Sequence, residues 1–134
     1  SSSGGKIPVT RCAVAGHDIG EGARAVTRLQ QALQGGFLLP EAQGERCLFI
    51  QVQQVERGSS VGSHIDPVDK GGKCIATAVL GAHNEVRVGN VRFHVAPGDV
   101  YGIAGPARFD MDHEVYADVE DRLSLTLRFG MTGE

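Results

Sequence analysis

The sequence predicts an all-β-dominated α+β domain: a double-stranded β-helix, or jelly roll, with one N-terminal supporting helix. Three observations predict it. Short segments rich in Val, Ile, Leu and Thr recur at regular spacing, with Gly- and Pro-bearing turns between them. A single stretch, carrying Ala23, Val26, Leu29 and Leu33, has apolar residues at helical spacing. The length of 134 residues, with 41% hydrophobic and 22% charged, suits one domain that can bury a core without disulfides.

Each element follows from its pattern. Residues 1–6 open with Ser-Ser-Ser-Gly-Gly and read as a flexible tail or cloning remnant, leaving residues 7–134 as a single domain. Residues 7–14 are short and β-branched, a strand. The helix runs from Gly20 to about residue 34 and stops at Gly35-Gly36. Residues 40–46 are a polar loop, 46–56 a strand, and Arg57-Gly58-Ser59-Ser60 a turn. Residues 74–81 are a buried apolar run. Residues 85–88 and 91–95 form a hairpin about Gly89-Asn90, and Pro97-Gly98-Asp99 turns into a strand at 100–104. The last strand, Arg122 to Phe129, alternates strictly. Leu123, Leu125 and Leu127 face one way; Arg122, Ser124, Thr126 and Arg128 face the other.

Composition limits the functions. Thirteen basic and sixteen acidic residues give a formal charge of −3, with no Lys or Arg cluster to track a phosphate backbone. Two Tyr and no Trp leave few platforms for base stacking. No apolar run spans a bilayer and no signal segment is visible, so an intracellular protein without membrane contact is expected. Cys12, Cys47 and Cys74 are odd in number and widely spaced, which suits reduced thiols and argues against a Cys-rich zinc site.

The chemistry-bearing motif is His64-Ile65-Asp66. In an extended segment these two side chains point to the same side, and a later strand can bring His113 alongside. Two histidines and one carboxylate with open positions mark the non-haem iron oxygenases. His17, His83 and His94 lack such context and read as loop or surface residues, with a cavity-facing His94 as the alternative on its hairpin strand. Asp112 and Glu114 point away from the side that His113 takes, on a solvated face or behind a metal ligand, and Asp110 belongs with them. Arg108 reads either as a structural ion pair with a carboxylate or as a substrate contact. Arg122 and Arg128, on one face of the closing strand, suit a small dicarboxylate, with Ser124 and Thr126 adding hydroxyls. Iron plus a dicarboxylate cradle points to 2-oxoglutarate.

An ordered run of features resembles the AlkB-like 2-oxoglutarate and iron(II)-dependent dioxygenases over about residues 46–130. Gln53-Gln54-Val55-Glu56-Arg57-Gly58 leads to His64-x-Asp66, then to the apolar strand Ile75–Gly81. Gly98-Asp99-Val100 follows, then Ala107-Arg108-Phe109 before His113, and last Arg122-x-Ser124-x-Thr126-x-Arg128. The paired arginines are the specific part. The resemblance implies a jelly roll that binds Fe(II), 2-oxoglutarate and O2. It makes His64, Asp66 and His113 the metal and catalytic residues. Arg122 would pair with the distal carboxylate and Arg128 would lie near the carboxylate beside the keto group.

The family's Asn-x-Tyr falls on Gln53 and Val55 here. Gln53 can still donate a hydrogen bond and Val55 cannot, with Tyr101 or Tyr116 as possible substitutes. The implied reaction hydroxylates a C–H bond, and on an N-methyl group of a nucleobase in DNA or RNA it amounts to demethylation. Arg108 and Tyr101 are the weak candidates for substrate contact. Two alternatives stay open. One is a hydroxylase or demethylase of a protein side chain or small molecule. The other is a non-catalytic module of a larger chain that binds metal or dicarboxylate.

Overall fold

Alternation of apolar and polar residues yields nine strands among the residues that the computed structural model describes, 9–14, 23–67, 71–117 and 120–130. The expected tail, the first two residues of the first strand, the first three of the expected helix, and His17 lie outside the described residues. Strands β1 (Val9–Val14), β2 (Cys47–Val55), β3 (Ser59–His64), β4 (Cys74–Gly81) and β5 (Asn84–Val88) come first in the chain. They are followed by β6 (Val91–Val95), β7 (Val100–Ala104), β8 (His113–Ala117) and β9 (Arg122–Phe129). All pairs are antiparallel, in a five-stranded sheet of order β1-β2-β9-β4-β7 and a four-stranded sheet of order β3-β8-β5-β6. This is the expected double-stranded β-helix.

Helix α1 (Ala23–Gln34) ends where Gly36 adopts φ +90°, a conformation that side-chain-bearing residues resist. It lays Val26 and Leu33 on the outer face of the five-stranded sheet, against Ile50, Leu125, Leu127 and Phe129. Ala76 and Ala78 on β4 are small enough to let the helix approach. Leu33, Leu127 and Phe129 have no exposed surface, and each such side chain stabilises the fold by about 1.5–3 kcal/mol. A second cluster, built largely of Val55, Val61, Val79, Val86 and Val115, fills part of the space between the sheets.

Two local expectations change. Strand β3 begins at Ser59, within the segment expected to be only a turn. A four-residue helix, α2 (Pro106–Phe109), stands between β7 and β8 where no element is expected; Gly105 at φ +57° and Pro106 at the first position start it. Cys47 and Cys74 are free thiols, and burial pushes Cys74 up to about 11, which makes it unreactive. Among the described residues no helix is long and apolar enough to cross a membrane.

The outer face of the four-stranded sheet is tied together by charge. Arg87 on β5 donates to Asp112 Oδ2 at 2.9 Å and to Glu114 Oε1 at 2.8 Å, and Ser63 at the end of β3 joins through Asp112. Tyr116 donates to the same Glu114 oxygen at 2.9 Å. The hydrogen bonds from Arg87, then from Ser63, draw the Asp112 carboxyl down to about 2. A depressed folded-state value stabilises the native state above the ordinary carboxylate range and is lost as pH falls toward that lower value. Urea midpoints of the native protein and Asp112→Asn should therefore differ most above about pH 5 and converge as the pH approaches about 2. Circular dichroism across that range checks it, and a gap that persists at low pH would contradict the ion-pair account.

Candidate metal centre

A β-bulge puts the first histidine in place. Ser59, Ser60 and Val61 of β3 pair with Ala117, Tyr116 and Val115 of β8, but the next pair is His64 with His113. One extra residue has entered β3 between Val61 and His64, and side-chain parity reverses there. In a regular strand Ser63 would face inward opposite His113. With the bulge His64 does, and Ser63 turns out to the Arg87 network. His113 faces inward with Val115 and Ala117, both buried between the sheets.

The imidazoles of His64 and His113 lie with centroids 4.4 Å apart. Asp66, in the loop just beyond β3, brings Oδ1 to 3.0 Å from His64 Nε2 and 3.8 Å from His113 Nε2. One ligand atom from each of the three residues lies within 4.8 Å of the others. His64 Nδ1 sits 2.7 Å from the Gly62 carbonyl, which in the neutral ring gives Nδ1 the proton and leaves a lone pair on Nε2. The protonated ring instead donates from Nε2 to the Asp66 carboxylate, and a metal cation can take that proton's place.

Ionisation favours the same outcome. Burial opposes the charge on Asp66, but the His64 hydrogen bond and the Arg128 guanidinium outweigh it and hold the carboxyl well below its usual range. Burial, and after it the His64 charge, push His113 down from its ordinary value, keeping a lone pair for a ligand. The donor set fits a divalent transition metal, and two imidazoles with one carboxylate suit iron(II).

These residues share a cavity of about 310 Å³ between the sheets with Arg122 and Arg128. The arginines stand six residues apart on β9, about 20 Å of strand, and their surroundings differ. Arg128 Nη1 is 2.6 Å from Asp66 Oδ2 and its Nε donates to Gln51 Oε1 at 3.2 Å. Engaging Oδ2 leaves Oδ1 toward the imidazoles. Arg122 is only 1% exposed. It donates to Gln53 Oε1 at 3.1 Å, Ser124 Oγ at 2.9 Å and Tyr101 Oη at 3.3 Å, while its buried Nε has no partner. All three partners are neutral, and among the described residues no carboxylate pairs with Arg122.

Thr126 lines the same cavity, as does Tyr101. Four residues expected on the surface or on the outer face stand there, and only the cavity-facing alternative for His94 falls away. His94 and His83 are exposed, and Asp112 and Glu114 serve the outer network. His94 pairs with Glu85 on β5, one position off the inward-facing Val86 and Phe93 pair, so alternation turns it out. Tyr116 bonds Glu114 on that same outer face.

Arg108 makes neither an ion pair with a carboxylate nor a contact in the cavity. Its guanidinium, 1% exposed, donates to the carbonyls of Asp66 at 3.0 Å, Pro67 at 2.9 Å and Gly72 at 2.9 Å. A Cβ on Gly71 would meet Arg108 Nη2 at 2.5 Å, so glycine leaves the room this clamp needs. Arg108 thus pins the backbone of a metal-ligand candidate. Two residues with polar side chains in the cavity wall escaped the sequence reading, Gln51 and Thr77. Gln51 carried a signal, since it lies two positions before Gln53 on the same face of a strand.

No protein-family model matches the chain, and no curated protein matches it in sequence. Solved structures match its fold. A cupin-2 domain from Rhodospirillum rubrum aligns at TM-score 0.56 and 14% identity over 100% of this chain and 68% of that one. A cupin superfamily protein from Desulfitobacterium hafniense aligns at 0.53 and 14% identity, over 91% of this chain and 77% of the other. A conserved protein of unknown function from Streptococcus pyogenes gives 0.51 at 20% identity, over 66% and 68%. At these identities the likeness is one of fold, a double-stranded β-helix shared with cupins. It carries no trait particular to AlkB-like proteins. A His-Asp-His group able to hold a metal sits inside that fold.

Replacing Arg108 by Lys, which loses the planar fork but keeps the charge, should weaken Mn(II) binding by about tenfold or more. Isothermal titration calorimetry reads the affinity and circular dichroism checks that the variant folds. An unchanged affinity in a folded variant would remove Arg108 from the metal centre.

Proposed function

We propose that this protein is an iron(II)- and 2-oxoglutarate-dependent dioxygenase, AlkB-like in its site, that hydroxylates a C–H bond of its substrate. One observation carries the reading: a buried guanidinium, Arg122, with only neutral partners, shares a cavity with His64, Asp66 and His113. A buried charge without a counter-charge is destabilising, and where the chain supplies none a ligand must. A small acid with a carboxylate at one end and a metal-chelating group at the other meets both needs, and 2-oxoglutarate is such an acid.

When bound, iron(II) with 2-oxoglutarate and O2 supplies the oxidising power, C–H becoming C–OH as the 2-oxo acid loses carbon dioxide and leaves as succinate. His64, Asp66 and His113 hold the metal. Arg128 orients Asp66 through Oδ2 and provides positive charge for the carboxylate beside the keto group. Arg122 grips the distal carboxylate, held in place by Gln53 and Ser124, and Thr126 contributes a hydroxyl to the cavity wall. Apolar Ile75, Val86, Val88 and Val115 line the same space and exclude water.

The AlkB-like resemblance favours a methylated nucleobase in DNA or RNA as substrate, where hydroxylation of the N-methyl group releases formaldehyde. The formal charge of −3 without a basic cluster supports a second substrate class, a protein side chain or a small molecule.

With iron(II) and 2-oxoglutarate the native protein should form succinate, and His64→Ala should abolish it. Arg122→Gln should raise the KM for 2-oxoglutarate about ten- to a hundredfold, the loss of charge-assisted hydrogen bonds. No turnover by the native protein would leave a binding module instead of an enzyme. Formaldehyde release from methylated oligonucleotides, set against hydroxylation of peptides, separates the substrate classes.

A further inference from the structure

The cavity is closed at one end and open at the other. At the Arg122 end the inward-facing side chains of Val55, Asn84, Val95 and Arg122 are all buried. At the metal end they are not. His64, Val88 and Ile103 are half-buried there. Val91, which pairs with Val88 and so shares its inward face, is 63% exposed. A ligand therefore reaches the metal group from this mouth.

Two rows of side chains in register bound that mouth. On the four-stranded sheet His64 pairs with His113, His113 with Val88, and Val88 with Val91. On the five-stranded sheet Arg128 pairs with Ile75, and Ile75 with Ile103. Each row begins with polar groups of the metal centre and ends in branched aliphatic side chains. The apolar ends face one another, because Phe93 of β6 meets Tyr101 of β7 edge-on at 5.4 Å between centroids. One half of the mouth is thus the metal site and the other half an apolar slot.

The apolar surface continues outside. Met111, 42% exposed, lies against the tip of the β5–β6 hairpin, where a Cβ on Gly89 would meet its Sδ at 3.1 Å. The Gly89 amide donates to the Asp112 carbonyl at 2.8 Å, which ties that tip to the segment carrying Met111 and His113. Exposed apolar side chains continuous with a cavity mark a ligand site. The charged groups beside them are engaged elsewhere, Arg87 pairing with Asp112 and Glu114 on the outer face. Tyr101 stands at the Arg122 end. Among the described residues lining the cavity, the only aromatic rings at the metal end are therefore the two imidazoles. A planar base finds no stacking platform here.

We propose that this mouth takes the aliphatic chain of a small uncharged molecule, laid between Val88 and Val91 on one sheet and Ile75 and Ile103 on the other, so that a C–H bond of the chain lies beside the metal group. The assignment rests on the dioxygenase reading given above and names its substrate class. C–H becomes C–OH with one atom of O2, and the other atom enters the succinate formed as 2-oxoglutarate loses carbon dioxide. The slot offers no charge for recognition, so it selects by chain length and against polar groups.

The test is calorimetric binding of 1-butanol, 1-hexanol and 1-octanol to the full chain loaded with Mn(II) and 2-oxoglutarate without oxygen. 1-Methyladenosine is the competing class. Affinity should rise about fourfold for each added methylene, and 1-octanol should bind more tightly than 1-methyladenosine. Val88→Thr keeps the side-chain shape and Val91→Asn alters an exposed position, so both variants should fold. Each should weaken 1-octanol about five- to tenfold, with Mn(II) affinity unchanged. With iron(II) and oxygen, 1-octanol should raise succinate formation and gain one oxygen atom, read by mass spectrometry. An affinity that ignores chain length, or that neither variant weakens, overturns the slot, and succinate formed all the same would leave the dioxygenase reading standing. Tighter binding of 1-methyladenosine overturns the assignment as well. If 1-octanol binds as expected but no succinate forms with iron(II), 2-oxoglutarate and oxygen, the dioxygenase reading fails and the substrate role of the slot fails with it.

Discussion

A central strand whose inward face carries two guanidinium groups sets the condition that the rest of the molecule meets. Strand β9 lies in the middle of the five-stranded sheet, so neither of its edges reaches water. One face packs Leu125, Leu127 and Phe129 beneath α1. The other therefore has to turn Arg122, Ser124 and Arg128 into the interior. Buried charge in a place of low polarity needs partners, and the surroundings of the two arginines are the fold's answer to that need. Asp66 meets Arg128. For Arg122 the chain offers only neutral oxygens, and the deficit left there gives the cavity its character.

The metal group depends on the same strand at one remove. Arg128 occupies one oxygen of Asp66, so the other points at the imidazoles. Arg108 holds the carbonyl of that same aspartate from behind. Asp66 sits in a loop, and loops place side chains loosely unless something ties them. Here two arginines do, one at the side chain and one at the backbone. The histidines are placed by strand pairing instead, with the bulge in β3 choosing which residue meets His113.

Cupin-like scaffold and local chemistry are separable in this protein. The double-stranded β-helix is shared with solved cupin structures at identities of 14–20%. A fold that tolerates such divergence constrains where side chains can converge, between its two sheets, and leaves their identity to each chain. In this chain a few inward positions carry the chemistry: histidines and a carboxylate near one end of β9, and a guanidinium with only neutral partners near the other.

Much of this was legible from residue order. Period-two alternation in 122–129 divides leucines from arginines without coordinates, because a strand has only two faces. His64, Asp66 and His113 could be singled out because ligand chemistry admits few residue types. Tertiary structure alone decided the rest. Whether His64 or Ser63 faces the interior turns on one extra residue between Val61 and His64, a matter of pairing with a strand far along the chain. Arg108 carries no mark in its neighbourhood that it will clamp carbonyls of residues 66, 67 and 72, since backbone acceptors have no residue identity to read. Tyr101 meets Arg122 only because β4 alone stands between their strands in the sheet. Local alternation belongs to a segment by itself, whereas convergence depends on which segments the sheets bring side by side.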